Sequence, residues 1–211
     1  YTIVTEKISV IPNGIDVNQF SPRFDKNNDL LQTLSIPGNA KVLFFAGNGF
    51  RGKGLQYVID ALPLLEEKNV YLVVAGSGSE KSFRLRAQKL GVGEKLRFVG
   101  RVQNIEYYFQ AADAFVFPSR YESFSLVSFE ALASGVPVVA SDIHGVVDVI
   151  ENGKNGFIVA RSGKAIATAL NTFLFNDELL KDMRQSARQS ALPYAWELGL
   201  PKLVLLYNTL V

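Results

Sequence analysis

Glu122 and Glu130 stand eight positions apart in the segment Pro118-Ser-Arg-Tyr-Glu-Ser-Phe-Ser-Leu-Val-Ser-Phe-Glu-Ala-Leu-Ala-Ser-Gly135, on either side of a helix start. Apolar residues at 126, 127, 129, 131, 132 and 133 suit a buried helix, with Ser123 or Ser125 as its N-cap and Gly135 as its stop. Eight helical residues span about 12 Å. That is wide for a glycosidase carboxylate pair, whose carboxyl groups need roughly 5 to 9.5 Å between them. Two ends of one elongated ligand fit the spacing better. Between the carboxylates lie the free first-turn N–H groups near Phe124, Ser125, Leu126 and Val127, which favour an anion. Carboxylate, amides, carboxylate matches hydroxyls, phosphate, hydroxyls, the order of groups in a sugar nucleotide. The plain alternative is a core helix whose Glu130 is solvated or ion-paired.

A second segment offers phosphate chemistry. Gly47-Asn48-Gly49-Phe50-Arg51-Gly52-Lys53-Gly54 follows an apolar run and precedes a helix from Leu55. Small residues at such a turn let the backbone close on an anion. Gly47, Gly49 and Gly52 match G-x-G-x-x-G, but the next strand ends in Ala75-Gly76, where a dinucleotide site expects an acid for the ribose. Gly47, Gly52 and Lys53 fit the phosphate loop of an NTPase, yet Gly54 stands where a magnesium-binding hydroxyl is required. Arg51 and Lys53 remain as cations placed for a diphosphate. Gly76-Ser77-Gly78 reads as a further tight turn at the same edge. His144 is the only histidine and no cysteine is present, so no metal ligand set is expected and the chemistry is expected to be metal-independent. Lys81, Arg84, Arg86 and Lys89 crowd one helix, as a solvated face or as a contact to an anionic membrane surface.

These segments need a scaffold, and the hydropathy pattern supplies one. Short apolar runs near 8–11, 41–46, 70–75, 96–99, 114–117, 137–140 and 157–159 read as strands. Between them helical patterns cover 55–67, 80–90, 104–112, 126–134 and 145–150, and three more follow at 163–175, 177–190 and 194–210. Runs apolar on both faces, such as Val42–Ala46 and Tyr71–Ala75, suit parallel strands covered on each side. The expected fold is α/β, a doubly wound, Rossmann-like parallel sheet with helices on both faces. Its ligands bind beyond the carboxyl ends of the strands, so the loops at 47–54, 76–79, 100–103, 118–125 and 141–145 should share one crevice.

Composition agrees with this scaffold. The chain has 211 residues, 48% of them hydrophobic and 20% charged, as a single globular domain would. A net charge of +2 gives no field for nucleic acid, although a pI of 8.7 leaves room for local basic patches. No apolar run reaches membrane-spanning length and the start has no signal-peptide pattern, so a cytoplasmic protein is expected, with peripheral contact at the inner face of a membrane left open. The opening Tyr1-Thr-Ile-Val-Thr-Glu-Lys lacks an initiator Met, which suggests a piece of a longer chain.

Taken together, Ile11-Pro12-Asn13-Gly14-Ile15-Asp16, the Arg51-x-Lys53-Gly54 loop, Pro118-Ser119 with Glu122-x7-Glu130, and Gly135-x-Pro137-Val138-Val139 resemble the C-terminal nucleotide-sugar domain of retaining GT-B glycosyltransferases, family four, group 1. The resemblance covers roughly residues 8–200. Gly145, Asp148-Val149-Ile150 and Asn155-Gly156-Phe157 extend it, with Asp148 where Glu is usual.

The resemblance implies roles by position. Arg51 and Lys53 would hold the donor diphosphate, with Lys53 steadying the leaving group. Glu130 would bind the ribose hydroxyls and Glu122 would lie near the transferred sugar. Phe124, Ser125, Leu126 and Val127 would cradle the phosphates, Gly76 would line the same edge, and Gly100 with Arg101 would approach the base. Ser125 replaces the family's usual Gly, which narrows the sugar pocket. The loop at 47–50 lacks the usual Gly-Arg pair, so Arg51 would substitute from a shifted position.

The implied activity is retaining, metal-independent transfer from a nucleoside diphosphate sugar, UDP- or GDP-linked, to a glycan, lipid or small-molecule acceptor, as in polysaccharide biosynthesis. No cofactor other than this donor is implied. The acceptor half of such an enzyme is an N-terminal domain. Residues from about 194 to 211 would pack on it, and the chain alone would turn over little substrate. Two other readings stay open: a nucleotide-sugar epimerase of the same architecture, and a non-catalytic nucleotide-sugar-binding module.

Overall fold

The computed structural model describes residues 8–23 and 27–209. The strands are β1 (Lys41–Ala46), β2 (Val70–Ala75), β3 (Leu96–Gly100), β4 (Ala114–Phe117), β5 (Val138–Ala140) and β6 (Gly156–Ile158). The helices are α1 (Asn28–Thr33), α2 (Leu55–Ala61), α3 (Lys81–Lys89), α4 (Ile105–Ala111), α5 (Leu126–Ala133), α6 (Gly163–Phe173), α7 (Asp177–Ala191) and α8 (Trp196–Asn208).

The six strands form one sheet in the order β3-β2-β1-β4-β5-β6, with every pairing parallel and helices on both faces, as expected. Strand order reverses between β1 and β4. There the connections leave in opposite directions, which opens a crevice above the strand ends. β1 and β4 are buried almost throughout, because aromatic and branched side chains on both faces meet helices. Phe44 packs edge-on to Phe109 at 5.2 Å, and Phe109 meets Phe115 at 5.5 Å, which fastens α4 under these two strands.

Three expected elements form differently. The strand expected at 8–11 is absent: Val10 is 87% exposed, and the first pairing of this segment is the single bridge between Ile15 and Ala195. The helix expected at 145–150 is a series of turns. Gly145 enters it at φ 80°, and the bonds reach back only from Val146, Val147, Val149 and Ile150 to Ile143 or Val146. The helix expected at 55–67 stops at Ala61 and tightens into a 3-10 turn, Leu62–Leu64, where Pro63 lacks an N–H to continue it. One element was not anticipated. α1 is only six residues long, held by the Asn27 side chain accepting the Leu30 N–H at 3.2 Å.

The C-terminal helices α6 and α7 begin at Ser162 and Asn176, whose side chains cap them. Arg188 on α7 donates to the carbonyls of Val17, Phe20 and Ala133 at 3.0, 2.8 and 2.7 Å, tying the N-terminal segment to the end of α5. α8 contains Pro201 and has no buried residue; Trp196, Leu198, Leu200, Val204, Leu205 and Tyr207 are each more than half exposed. Residues 1–7, 24–26 and 210–211 of the expected domain lie outside the described residues.

Candidate functional site

The glycine loop leaves β1 at Gly47 and is pinned to its neighbours by hydrogen bonds and close approaches. Asn48 Oδ1 accepts from the Ser77 N–H at 3.1 Å and the Ser77 hydroxyl at 2.7 Å, while the Gly49 N–H donates to Ser77 O at 2.8 Å. Gly76 sits at φ 119°, and a Cβ there would stand 2.0 Å from Gly47 O. The tight turn after β2 is therefore a packing requirement. Gly54, at φ 85°, would place a Cβ 2.2 Å from Pro118 O. No serine or threonine fits there, which removes the magnesium-binding hydroxyl of an NTPase loop on steric grounds.

The loop after β4 is held equally firmly. The Arg120 N–H donates to Gly52 O at 3.0 Å, the Arg161 Nε to Pro118 O at 3.0 Å, and the Ser141 hydroxyl to Ser119 O at 2.5 Å. These contacts bring Lys53 and Glu122 together: Lys53 Nζ lies 2.5 Å from Glu122 Oε1, with the side chains 27% and 15% exposed. Lys53 Nζ also sits 5.7 Å from the Phe117 ring centre, a cation–π approach.

α5 then begins in an unusual way. Ser125 occupies its N-cap position at φ 66° and ψ 56°, but no side chain caps the helix. The Ser125 hydroxyl is paired with the Ser128 hydroxyl at 2.8 Å instead. Helix geometry leaves the Leu126 and Val127 N–H groups without an intrahelical acceptor, so they remain available to an anion. Behind this turn Phe124 stacks on Phe129 at 4.4 Å, and Phe129 meets Tyr194 at 4.6 Å. Gly145 approaches Phe124 O so closely that a Cβ would lie 2.5 Å away. The 141–145 loop thus supports the site from beneath. At the other end of α5, Gly135 closes the helix at φ 71°, as expected.

Glu130 projects from the second turn of α5. Burial, and secondarily the charge of Glu106, push its carboxyl up to about 7 from an ordinary 4.5. Its carboxylate has no hydrogen-bond or ion-pair partner among the described residues. A carboxylate whose charged form is disfavoured by burial and that has no protein partner in a cleft is open to a ligand's donors.

These parts share one cleft of about 930 Å³. Lys53, Gly76, Arg101, Glu122, Phe124, Ser125, Leu126, Val127 and Glu130 all line it. Arg51 and Gly100 do not. Arg51 is exposed on the outside of the glycine loop, and its carbonyl accepts the Gly54 N–H at 3.3 Å. Gly100 acts through its carbonyl, which takes the Gly76 N–H at 2.7 Å. Asn13, Asn48 and Phe117 also line the cleft and were given no role from sequence. Asn13 lies in the Pro-Asn-Gly string; Gly14 beside it fits only because it has no side chain, since a Cβ would stand 2.6 Å from the Trp196 ring.

Among the described residues no three His, Asp or Glu side chains are grouped as a metal site, and no helix is long and apolar enough to cross a membrane. Two of the four cations around α3 are held by carboxylates: Arg84 by Glu80 at 2.7 Å, and Arg86 by Asp60 at 2.5 Å.

The crevice at the switch point thus carries two carboxylates, an ammonium and an uncapped helix start. The chain belongs to the glycosyl transferases group 1 family, whose model matches residues 27–190. It is similar to a D-inositol 3-phosphate glycosyltransferase of Corynebacterium urealyticum, 34% identical over 218 residues, covering 97% of this chain and 51% of the relative. Sucrose-phosphate synthase from Thermosynechococcus elongatus is similar in structure, with a TM-score of 0.84 and 25% identity over 96% of this chain and 52% of that one. The Anabaena protein Alr3699/HepE, solved in complex with UDP and glucose, has the same fold, with a TM-score of 0.88 and 24% identity over 99% of this chain and 58% of that one. The chain spans about half the length of the curated relatives it matches, and corresponds to their C-terminal half.

Proposed function

We propose that this chain is the donor-binding half of a glycosyltransferase, taking a UDP- or GDP-linked sugar and transferring the sugar with retention to a glycan, lipid or small-molecule acceptor. The observation that carries the reading is the order of groups along the cleft: Glu130, the free amides of Leu126 and Val127, then the Lys53–Glu122 pair. In this arrangement Glu130 accepts from the ribose hydroxyls, the amides and Lys53 hold the diphosphate, and Glu122 faces the transferred sugar. Arg101, which lines the same cleft, would approach the base.

Departure of a nucleoside diphosphate builds negative charge on the outer phosphate. A fixed ammonium and a helix N-terminus stabilise that charge more in the transition state than in the ground state, which is how binding groups become catalytic. In the absence of a donor Lys53 is paired with Glu122, a bond the diphosphate competes with. The same groups make a divalent cation unnecessary, so chelators should leave donor affinity unchanged. The acceptor is met by an N-terminal domain, against which the exposed apolar face of α8 packs; the double length of the relatives supports this.

The test is a calorimetric titration with UDP, GDP and their sugars. One donor series should bind, and Glu130→Ala should weaken it roughly ten- to a hundredfold, from the loss of charged hydrogen bonds at about 1.5 to 3 kcal/mol. Undiminished binding by that variant would remove Glu130 from the ribose site.

A further inference from the structure

Asn48 lines the cleft without a role in the reading above, and its side chain is fixed in direction. Its Oδ1 accepts the Ser77 N–H at 3.1 Å and the Ser77 hydroxyl at 2.7 Å. A backbone N–H can only donate, so the atom turned to Ser77 is the carbonyl oxygen, and the amide nitrogen lies on the other side of the group. Ser77 is not part of the cleft lining, whereas Asn48 is. The oxygen therefore points out of the cleft and the nitrogen is left to face into it, with no hydrogen-bond partner among the described residues. The Gly49 N–H, donating to Ser77 O at 2.8 Å, holds the same two loops together, so the protein itself sets the amide in place.

The neighbours of Asn48 decide what it meets. The ends of β1 and β2 give the cleft Ala46, Gly47, Asn48, Ala75 and Gly76, and of these only Asn48 has a polar side chain. The stem of Lys53 crosses Gly47, one residue away: a Cβ there would stand 3.1 Å from Lys53 Cγ. Arg51, the other cation of the loop, is exposed on the outside. The inference rests on the reading in which Lys53 takes the outer phosphate. That phosphate is then flanked by the Leu126 and Val127 amides on the α5 side and by Asn48 on the β2 side. A neutral amide adds a hydrogen bond to an anion without bringing a second cation into the cleft, and one already held in place costs little ordering when the anion arrives. We infer that Asn48 is a further ligand-binding residue, whose amide nitrogen donates to the outer phosphate of the nucleoside diphosphate beside Lys53.

The experiment titrates UDP, UMP, GDP and GMP into the parent, Asn48→Asp and Asn48→Ala by calorimetry. Aspartate keeps an oxygen for Ser77 to bond and puts a second, charged oxygen where the amide nitrogen was. For whichever base binds, Asn48→Asp should weaken the diphosphate at least about tenfold and the monophosphate by less than about threefold. Asn48→Ala should weaken the diphosphate about three- to tenfold, with the monophosphate changed by less than about twofold. A residue that only anchors the loop through Ser77 would give the reverse: aspartate like the parent, and alanine weaker toward both ligands. That pattern, or equal weakening of diphosphate and monophosphate by either variant, would overturn the assignment. Should Asn48→Asp not fold, the ratio of diphosphate to monophosphate affinity in Asn48→Ala decides alone. A parent that binds no nucleoside diphosphate would overturn the donor reading and this inference with it, whereas a parent that binds, with Asn48→Asp unchanged, would overturn this inference only.

Discussion

Replacing Glu130 by Gln should make the chain more stable at neutral and alkaline pH while impairing donor binding. The Glu130 carboxyl is raised from 4.5 to about 7, first by burial and then by Glu106. Between those values the folded chain keeps a proton that the unfolded chain has released, so stability falls as pH rises through this window. Above it the full cost is carried. At about 1.4 kcal/mol per pH unit, the gap from 4.5 to about 7 corresponds to about 3 kcal/mol at most. A neutral Gln of the same shape removes the ionisation cost. For a chain of this size, Glu130→Gln should therefore raise the melting temperature by up to about 6 to 12 °C at about pH 8 and by almost nothing near pH 4.5. Thermal melts of parent and variant across that range read the difference directly. A gain of the same size at both ends would show that it comes from packing, and no gain at the upper end would show that Glu130 is not held at a cost. Either result refutes the argument that the carboxylate is kept for a ligand.

The same group sets the pH dependence of binding. Ribose hydroxyls bond to the ionised carboxylate, so donor affinity should rise from about pH 6 and level off above about 7, with proton release measurable by calorimetry in buffers of different ionisation enthalpy. A flat profile would contradict the ribose role. Glu122→Gln should free Lys53 and tighten the nucleoside diphosphate alone by up to about fivefold, the value of a partly exposed ion pair, without tightening the full donor; a weaker diphosphate would mean that Glu122 positions Lys53. Gly54→Ser should destabilise the chain by about 3 kcal/mol or more, because it adds a left-handed side chain that meets Pro118 O, and urea melts would register it. A variant as stable as the parent would mean that the 47–54 loop is free to move.

The scaffold was legible because β1, β2 and β4 are apolar on both faces, which only a sheet covered by helices on each side accommodates. Glu122 and Glu130, singled out by their spacing around a helix start, both line the cleft. What escaped was tertiary. Nothing local in Arg51 distinguishes it from Lys53, yet the turn at Gly49 sends one outward and the other across to Glu122. The apolar run at 8–11 has strand composition but pairs with neither edge strand of the sheet, and Val10 faces solvent. The 145–150 segment has helical spacing, but its left-handed Gly145 is committed to supporting Phe124. Asn13 lines the cleft beside Gly14, which packs against Trp196, and Ile15, which bridges Ala195, contacts distant in sequence that no local pattern encodes.

The central claim is the order of groups along the cleft, and a crystal structure of the chain with a bound UDP- or GDP-sugar tests it most directly. The account predicts the diphosphate within hydrogen-bond distance of the Leu126 and Val127 amides and Lys53 Nζ, the ribose on Glu130, and the sugar beside Glu122 and Ser125. A nucleotide seated away from the start of α5, or a ribose turned away from Glu130, would contradict it.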